Sequence, residues 1–195
     1  YWANEEPAVR IKLRIIQSYF NQTKEEIADN LENYKEEYLT NIKPYLTVFD
    51  SVGTHIDEIN EYARIYRPDV MFIDQLDKVH ISGTYNRTDE KLKEVYVRAR
   101  EISKRHECLL WAVSQASYEA EGKSIIDYSM LDNSRTGKAG EADLIIGIGR
   151  GADNNDLSDP NRCITISKNK LNGWHGSRHA TISIRRGVFE SDNNA

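Results

Sequence analysis

The chain is poor in cysteine and contains no long apolar run. Its 195 residues include only 2 Cys, at Cys108 and Cys163, each inside a short apolar segment and without a Cys-x-x-Cys spacing. Disulfide-rich scaffolds and cysteine-rich zinc sites are therefore excluded, and both thiols are predicted to lie in the core. No apolar run approaches the roughly 18 to 20 residues of a membrane span. The acidic first residues are unlike a signal peptide, so we expect a cytoplasmic protein with no membrane partner.

Proline and glycine are also scarce. With 4 Pro, 11 Gly, 39% hydrophobic and 29% charged residues, the composition excludes a disordered chain and a fibrous repeat. A length of 195 residues suits one globular domain. The net charge of -5 argues against a protein that coats nucleic acid by bulk charge.

The charge is nevertheless uneven along the chain. Residues 161–189 contain no acidic residue, and their basic residues are Arg162, Lys168, Lys170, Arg178, Arg185 and Arg186. A basic edge on an acidic body is consistent with a local phosphate or nucleic-acid site. It is equally consistent with a strand edge protected by cations, and charge alone leaves both interpretations open.

Apolar spacing predicts helices that alternate with short strands. The predicted helices cover 7–20, a polar segment after a capping box at Thr23, a segment from Thr54 to Pro68, and 89–106. The predicted strands cover 45–49, 70–73, 108–113, 142–148, 163–167 and 180–184. Residues 115–141 lack periodicity and are predicted to form one long loop. This order indicates an α/β fold whose sheet has helices on both faces and paired strands near the C terminus.

Polar residues end two of the apolar strands, where ligands collect in open parallel sheets. Asp74 directly follows the run from Val70 to Ile73, and a carboxylate there can hold a hydrated Mg²⁺ against a nucleotide phosphate. The alternative is a structural turn former. Ser114 and Gln115 end the next run in the same way.

The sequence contains no acceptable P-loop. At Gly122-Lys123-Ser124 the position of the required first glycine is Ser117, and at Gly137-Lys138 the next residue is Ala139 rather than Ser or Thr. His175 and His179 are four residues apart in a Gly-rich hairpin, where surface histidines are more common than zinc ligands.

Five segments occur in an informative order along the chain. They are Asn4-Glu5-Glu6-Pro7, Phe72-Ile73-Asp74-Gln75, Val113-Ser114-Gln115, Glu141-Ala142-Asp143-Leu144-Ile145-Ile146 and Ile166-Ser167-Lys168-Asn169-Lys170-Leu171-Asn172-Gly173. This order resembles the RecA-like motor domain of DnaB-family hexameric replicative helicases, including the bacteriophage versions. The resemblance spans nearly the whole chain. It implies a RecA-like three-layer sandwich with a mainly parallel sheet and antiparallel C-terminal strands.

The resemblance also implies roles for particular residues at the nucleotide. Glu5 corresponds to the residue that polarises the attacking water, with Glu6 as the alternative. Asp74 lies in a Walker B strand and would hold Mg²⁺ through water. Gln115 would link the phosphate state to DNA.

Cations have implied roles beyond one subunit. Lys168 or Lys170 would reach the neighbouring subunit's nucleotide as a point charge, although Lys170 stands where the family usually has an arginine, whose planar fork a lysine lacks. The segment 116–141 would be the central DNA-binding loop, with Lys123, Arg135 and Lys138 as phosphate contacts.

The family's P-loop precedes the segment that contains Glu5. We therefore expect residues 1–195 to be a single RecA-like ATPase domain that lacks its P-loop strand and helix, as a fragment of a longer protein and inactive alone. The implied function is an ATP- or other NTP-dependent DNA helicase that uses Mg²⁺, binds single-stranded DNA and forms a homohexamer, in the cytoplasm of a bacterium or phage-infected host. Alternatives are a recombinase or RadA-like ATPase, and a non-catalytic RecA-like assembly module.

Overall fold

The computed structural model describes residues 1–132, 135–150 and 158–191. Its α-helices are α1 (Ala8–Phe20), α2 (Lys24–Asp29), α3 (Leu31–Glu37), α4 (Ile56–Tyr66), α5 (Thr88–Arg105) and α6 (Arg135–Glu141). Its strands are β1 (Trp2–Ala3), β2 (Phe49–Asp50), β3 (Val70–Asp74), β4 (Leu109–Ala112), β5 (Leu144–Arg150), β6 (Asn161–Asn169), β7 (Gly176–Ser183) and β8 (Val188–Ser191).

The strands form two four-stranded sheets. The first has the order β2-β1-β3-β4 and is parallel throughout, with Ala3 opposite Asp74 and Val70 opposite Leu109. The second has the order β5-β6-β7-β8 and is antiparallel. The predicted α/β class, with parallel strands followed by antiparallel C-terminal strands, is confirmed.

Helices α4 and α5 bury one face of the first sheet. Met71 and Ile73 alternate along β3 and pack with Ile59 of α4 and Val95 of α5, and all four side chains are fully buried. Parallel strands need crossover connections, and these two amphipathic helices provide them while covering the sheet. The apolar stripes seen in the sequence are therefore the core of this layer.

The other face of the first sheet carries stacked aromatic rings. The ring centroids of Tyr1 and Phe72 are 6.0 Å apart, and those of Phe72 and Trp111 are 6.1 Å apart. Phe72 and Trp111 remain 39% and 37% exposed. This face is markedly less covered than the face under α4 and α5.

Several predicted boundaries were wrong. The polar helix after Thr23 begins with the expected capping box, but it is interrupted at Asn30, whose side-chain amide donates to the carbonyl of Glu26. Such side-chain bonds to the local backbone compete with helix continuation. The strand predicted at 45–49 is limited to Phe49–Asp50, and the cap of α4 is His55, because the predicted cap Thr54 is buried before it.

Two sequence expectations about the core and the membrane can be compared with the structure. Cys108 and Cys163 are both buried as free thiols, as predicted. Within the described ranges, no helix has the length and apolar character needed to cross a membrane.

The buried face of α4 gives the first testable prediction. Ile59→Ala should lower the free energy of unfolding by about 2 to 5 kcal/mol, because it opens a cavity under a fully buried side chain. Ile65→Ala, on the same helix but 56% exposed, is the matched control and should change it by less than about 0.5 kcal/mol. Urea unfolding measures both, and equal losses in the two variants would contradict this packing.

Candidate functional site

Parallel pairing of β1 with β3 brings two predicted carboxylates to one edge of the first sheet. Ala3 lies opposite Asp74, and the next amide, that of Asn4, donates to the carbonyl oxygen of Asp74 at 2.8 Å. Glu5 follows immediately and is exposed. Both side chains therefore lie beyond the carboxyl ends of adjacent strands, where a ligand can reach them.

Glu5 is held by the turn that follows β3. Its carboxylate accepts a hydrogen bond from Gln75 Nε2 at 2.7 Å and forms an ion pair with Lys78 Nζ at 3.0 Å. Glu6 lies elsewhere, because its carboxylate pairs with Arg14 of α1 at 2.9 Å. Of the two candidate glutamates, Glu5 is the one in contact with the residues around Asp74.

Asp74 is half-buried and has a phenol partner. Tyr1 Oη donates to Asp74 Oδ2 at 2.6 Å. Burial, and then the carboxylate of Asp74, raise the pKa of the Tyr1 phenol, so this hydroxyl keeps its proton and acts as a donor. The bond holds the Asp74 carboxylate at the strand end.

The oxygen ligands at this edge fit a hydrated Mg²⁺. Mg²⁺ prefers oxygen ligands and is commonly bound by one or two carboxylates together with waters and substrate phosphates. Asp74 offers such a carboxylate, with Glu5 following the neighbouring strand. Across the described part of the chain, no group of three or more His, Cys, Asp or Glu side chains is arranged to hold a metal by itself.

The end of β4 lies beside the same turn. The amide of Val113 donates to the carbonyl of Ile73 at 3.0 Å, and the amide of Leu76 donates to the carbonyl of Val113 at 3.2 Å. Gln115 is exposed two residues farther on. The structure thus brings Glu5, Asp74 and Gln115 to the ends of three neighbouring strands.

The segment after Gln115 is more ordered than predicted. Its two ends pair with each other, since the amide of Ser117 donates to the carbonyl of Met130 at 2.6 Å and the amide of Asp132 donates to that of Gln115 at 3.2 Å. Two 3₁₀ turns, Tyr118–Ala120 and Tyr128–Met130, lie between these ends. The expectation of one irregular loop over 115–141 was wrong, because this stem closes a compact loop at 115–132 and α6 follows it.

Two glycines of β5 seat this loop. A side chain at Gly147 would collide with the carbonyl oxygen of Ile126, and one at Gly149 would collide with that of Ser124. The close approach of two backbones requires glycine at both positions. The alternation of isoleucine and glycine in β5 was the sequence signal for this contact, and the sequence reasoning missed it.

The three predicted DNA-contacting cations have different surroundings. Lys123 is exposed on the seated loop. Arg135 begins α6, and its side chain lies outside the described part of the structure. Lys138 is only 2% exposed, and its ammonium group donates to Asp77 Oδ2 at 2.7 Å and to Ser114 Oγ at 3.0 Å. A lysine buried in this way does not present its charge to a phosphate, so we do not retain the DNA-contact hypothesis for Lys138.

The two predicted finger lysines contact the C-terminal end of α6 in their own chain. Lys168 Nζ donates to the carbonyl of Ala139, and Lys170 Nζ donates to that of Gly140 at 3.2 Å. Desolvation, and then the charge of Lys170, lower the pKa of Lys168. Cations are favoured at the carbonyl end of a helix, and these two stabilise α6 in that way.

Sequence reasoning missed the residues that support the site. Tyr1, Lys78 and Asp77 contact Asp74, Glu5 and Lys138 respectively. None of the three belongs to a pattern that would have marked it in advance. Their partners become neighbours only through the pairing of strands that are far apart in sequence.

Comparisons with known proteins identify the fold. Neither a protein-family model nor a curated protein matches the chain. Among solved structures, the ATPase domain of a phage protein matches with a TM-score of 0.80 and 16% identity, over 97% of this chain and 73% of that chain. The structure of a DnaB-like replicative helicase and its interactions with primase matches with a TM-score of 0.76 and 17% identity, over 91% of this chain and 47% of that one. The chain therefore has the RecA-like α/β fold of this phage ATPase domain and of a DnaB-like replicative helicase.

Proposed function

We propose that this chain is the motor domain of a DnaB-type replicative helicase, which couples NTP hydrolysis to translocation on single-stranded DNA. The observation that carries the proposal is the convergence of Glu5, Asp74 and Gln115 at the carboxyl ends of β1, β3 and β4. These three residue types in these three positions suit phosphoryl transfer, which depends on positioning and charge neutralisation more than on covalent chemistry. The likeness to a phage ATPase domain and to a DnaB-like replicative helicase supports the same interpretation.

In this proposal the two carboxylates have separate roles. Asp74, oriented by Tyr1, holds Mg²⁺ through water, and the ion neutralises charge on the phosphates of ATP or another NTP. Glu5, oriented by Gln75 and Lys78, accepts a hydrogen bond from the attacking water. Gln115 senses the phosphate from the end of β4.

We also propose that a P-loop strand and helix complete this domain. The first sheet ends at β4, and its less covered face exposes Phe72, Leu109 and Trp111. An apolar sheet face with an open edge strand is normally paired or covered. A phosphate-binding strand beside β4, with its helix on this face, would cover both and would supply the amide cradle that residues 1–195 lack.

The assembly in this proposal is a homohexameric ring. The seated loop at 115–132 would face the channel and contact DNA phosphates through Lys123, with Arg135 just beyond it. Lys168 and Lys170 lie at the end of β6, and serving a neighbouring subunit's nucleotide would require them to exchange their α6 carbonyl partners for phosphate oxygens. Lysine can do this as a point charge.

A second candidate is a RecA-like assembly module that does not hydrolyse nucleotide. The absence of an acceptable P-loop sequence within residues 1–195 favours it. A recombinase or RadA-like ATPase would share the same strand-end carboxylates. DNA-stimulated hydrolysis excludes the module, and unwinding of a forked duplex separates a helicase from a recombinase.

The two carboxylates give separable expectations in the longer protein. Glu5→Gln should reduce the hydrolysis rate at least about 100-fold while nucleotide still binds, because only the polarisation of water is lost. Asp74→Asn should weaken Mg²⁺-dependent nucleotide binding as well. Steady-state hydrolysis and binding of a fluorescent nucleotide measure the two effects.

The matched comparison for Glu5 is Glu6→Gln. Glu6 pairs with Arg14 on α1, so this variant should hydrolyse nucleotide at close to the wild-type rate. Loss of turnover in Glu6→Gln with wild-type turnover in Glu5→Gln would move the role to Glu6. Wild-type turnover in both variants would refute the proposed site.

The loop cations give an expectation for DNA. Lys123→Ala combined with Arg135→Ala should weaken single-stranded DNA binding, and each lost phosphate contact should reduce the salt-dependence slope by about 0.7. Nucleotide affinity should stay unchanged. Lys104→Ala, an exposed cation on α5, is the charge-matched control. Fluorescence anisotropy across a salt series is the measurement, and an unaltered slope in the double variant would mean that DNA binds elsewhere.

A further inference from the structure

A closed polar network surrounds the buried ammonium group of Lys138. Its side chain is 1% exposed, and it meets the Asp77 carboxylate at 2.7 Å and the Ser114 hydroxyl at 3.0 Å. Ser114 Oγ donates to Asp77 Oδ2 at 2.9 Å, and Tyr96 Oη donates to Asp77 Oδ1 at 2.7 Å. The ammonium also lies 5.6 Å from the centre of the Tyr96 ring. Each member of the network therefore contacts at least two others or a charge.

The network joins three parts of the proposed motor. Asp77 lies in the 3₁₀ turn Leu76–Lys78, which directly follows the strand that ends at Asp74 and contains the Lys78 partner of Glu5. Ser114 immediately precedes Gln115 at the end of β4. Lys138 lies on α6, which follows the DNA-binding loop. Turn, sensor strand and loop exit thus meet at one carboxylate.

Burial makes this junction intolerant of small displacements. A buried charge is costly unless it is paired and hydrogen-bonded, so moving α6 away from Asp77 would leave two charges without partners. Burial and the nearby Asp77 charge raise the pKa of Tyr96, so its hydroxyl remains a donor to Asp77. The orientation of α6 relative to the turn after β3 is fixed by this chemistry.

Helix α6 is held from two further sides. Arg100 of α5 donates to the carbonyl of Glu141 and pairs with Asp143 at 3.0 Å. Lys168 and Lys170 donate to its last carbonyls from the end of β6. A shift of the loop exit is therefore transmitted through α6 rather than absorbed by it, and the Lys138 network is where that shift meets the nucleotide edge.

We propose that Lys138 is a positioning residue that couples DNA binding by the loop to hydrolysis at the strand ends, through Asp77 and Ser114. The inference rests on the proposed function, since it concerns how that site is regulated. Lys138 touches neither nucleotide nor DNA in this role. It fixes α6 against the turn that carries Lys78, and so sets the position of Glu5 when DNA is bound.

The test is a double variant that removes both charges in the full-length protein. Lys138→Met with Asp77→Asn keeps the side-chain sizes and leaves no charge unpaired, and an asparagine can still bond to the Tyr96 and Ser114 hydroxyls. We expect a thermal midpoint within about 5 °C of wild type, basal hydrolysis and DNA affinity within about threefold, and a loss of DNA stimulation of kcat by about tenfold at saturating DNA. Lys123→Ala is the control, and should weaken DNA binding while leaving kcat at saturating DNA unchanged.

Ser114→Ala provides a second variant that keeps the ion pair and removes one of its bonds. It should reduce DNA stimulation by severalfold, and it decides the matter if the double variant does not fold. Wild-type stimulation in a folded double variant, or in Ser114→Ala if the double variant is unfolded, overturns the inference and leaves the proposed function intact. A wild-type protein whose hydrolysis does not respond to DNA overturns the proposed function and the inference with it.

Discussion

Parallel pairing between β1 and β3 is the constraint on which the candidate site depends. Two residues of β1 pair with the end of β3, and this register places Glu5 beyond one strand end while Asp74 ends the other. The pairing is supported from below by the core of α4 and α5, where Ile73 is fully buried. The site thus needs no long element on the β1 side, only a register that the buried neighbours of Ile73 hold in place.

Charge burial is the second organising feature. The Lys138 ammonium is buried because Asp77, Ser114 and Tyr96 together satisfy it, and that requirement fixes α6 against the turn after β3. On the other side of α6, Lys168 and Lys170 satisfy its terminal carbonyls. Side chains that the sequence suggested as mobile surface cations are therefore structural supports in this conformation of the chain.

Sequence patterns predicted the elements that carry long apolar stripes. Helices α1, α4 and α5 and strands β3 and β4 were predicted close to their observed limits, because their burial follows from spacing alone. The two-residue strands β1 and β2 are too short to show any periodicity. Helix α6 was missed because its seven residues include two glycines, and the burial of Lys138 depends on a carboxylate 61 positions away. Glu5 and Asp74 were placed by their positions at strand ends and by family resemblance, whereas their supports Lys78 and Tyr1 follow only from tertiary structure.

The central claim is that nucleotide binds at the shared edge of β1, β3 and β4. The most direct test is a cryo-electron microscopy map of the full-length protein with Mg²⁺, a non-hydrolysable ATP analogue and single-stranded DNA. We predict density for the terminal phosphate and its ion beside Asp74, with Glu5 within reach of that phosphate through one water and DNA against the loop at 115–132. Nucleotide density away from this edge, with Asp74 and Glu5 contacting only protein, would contradict the account.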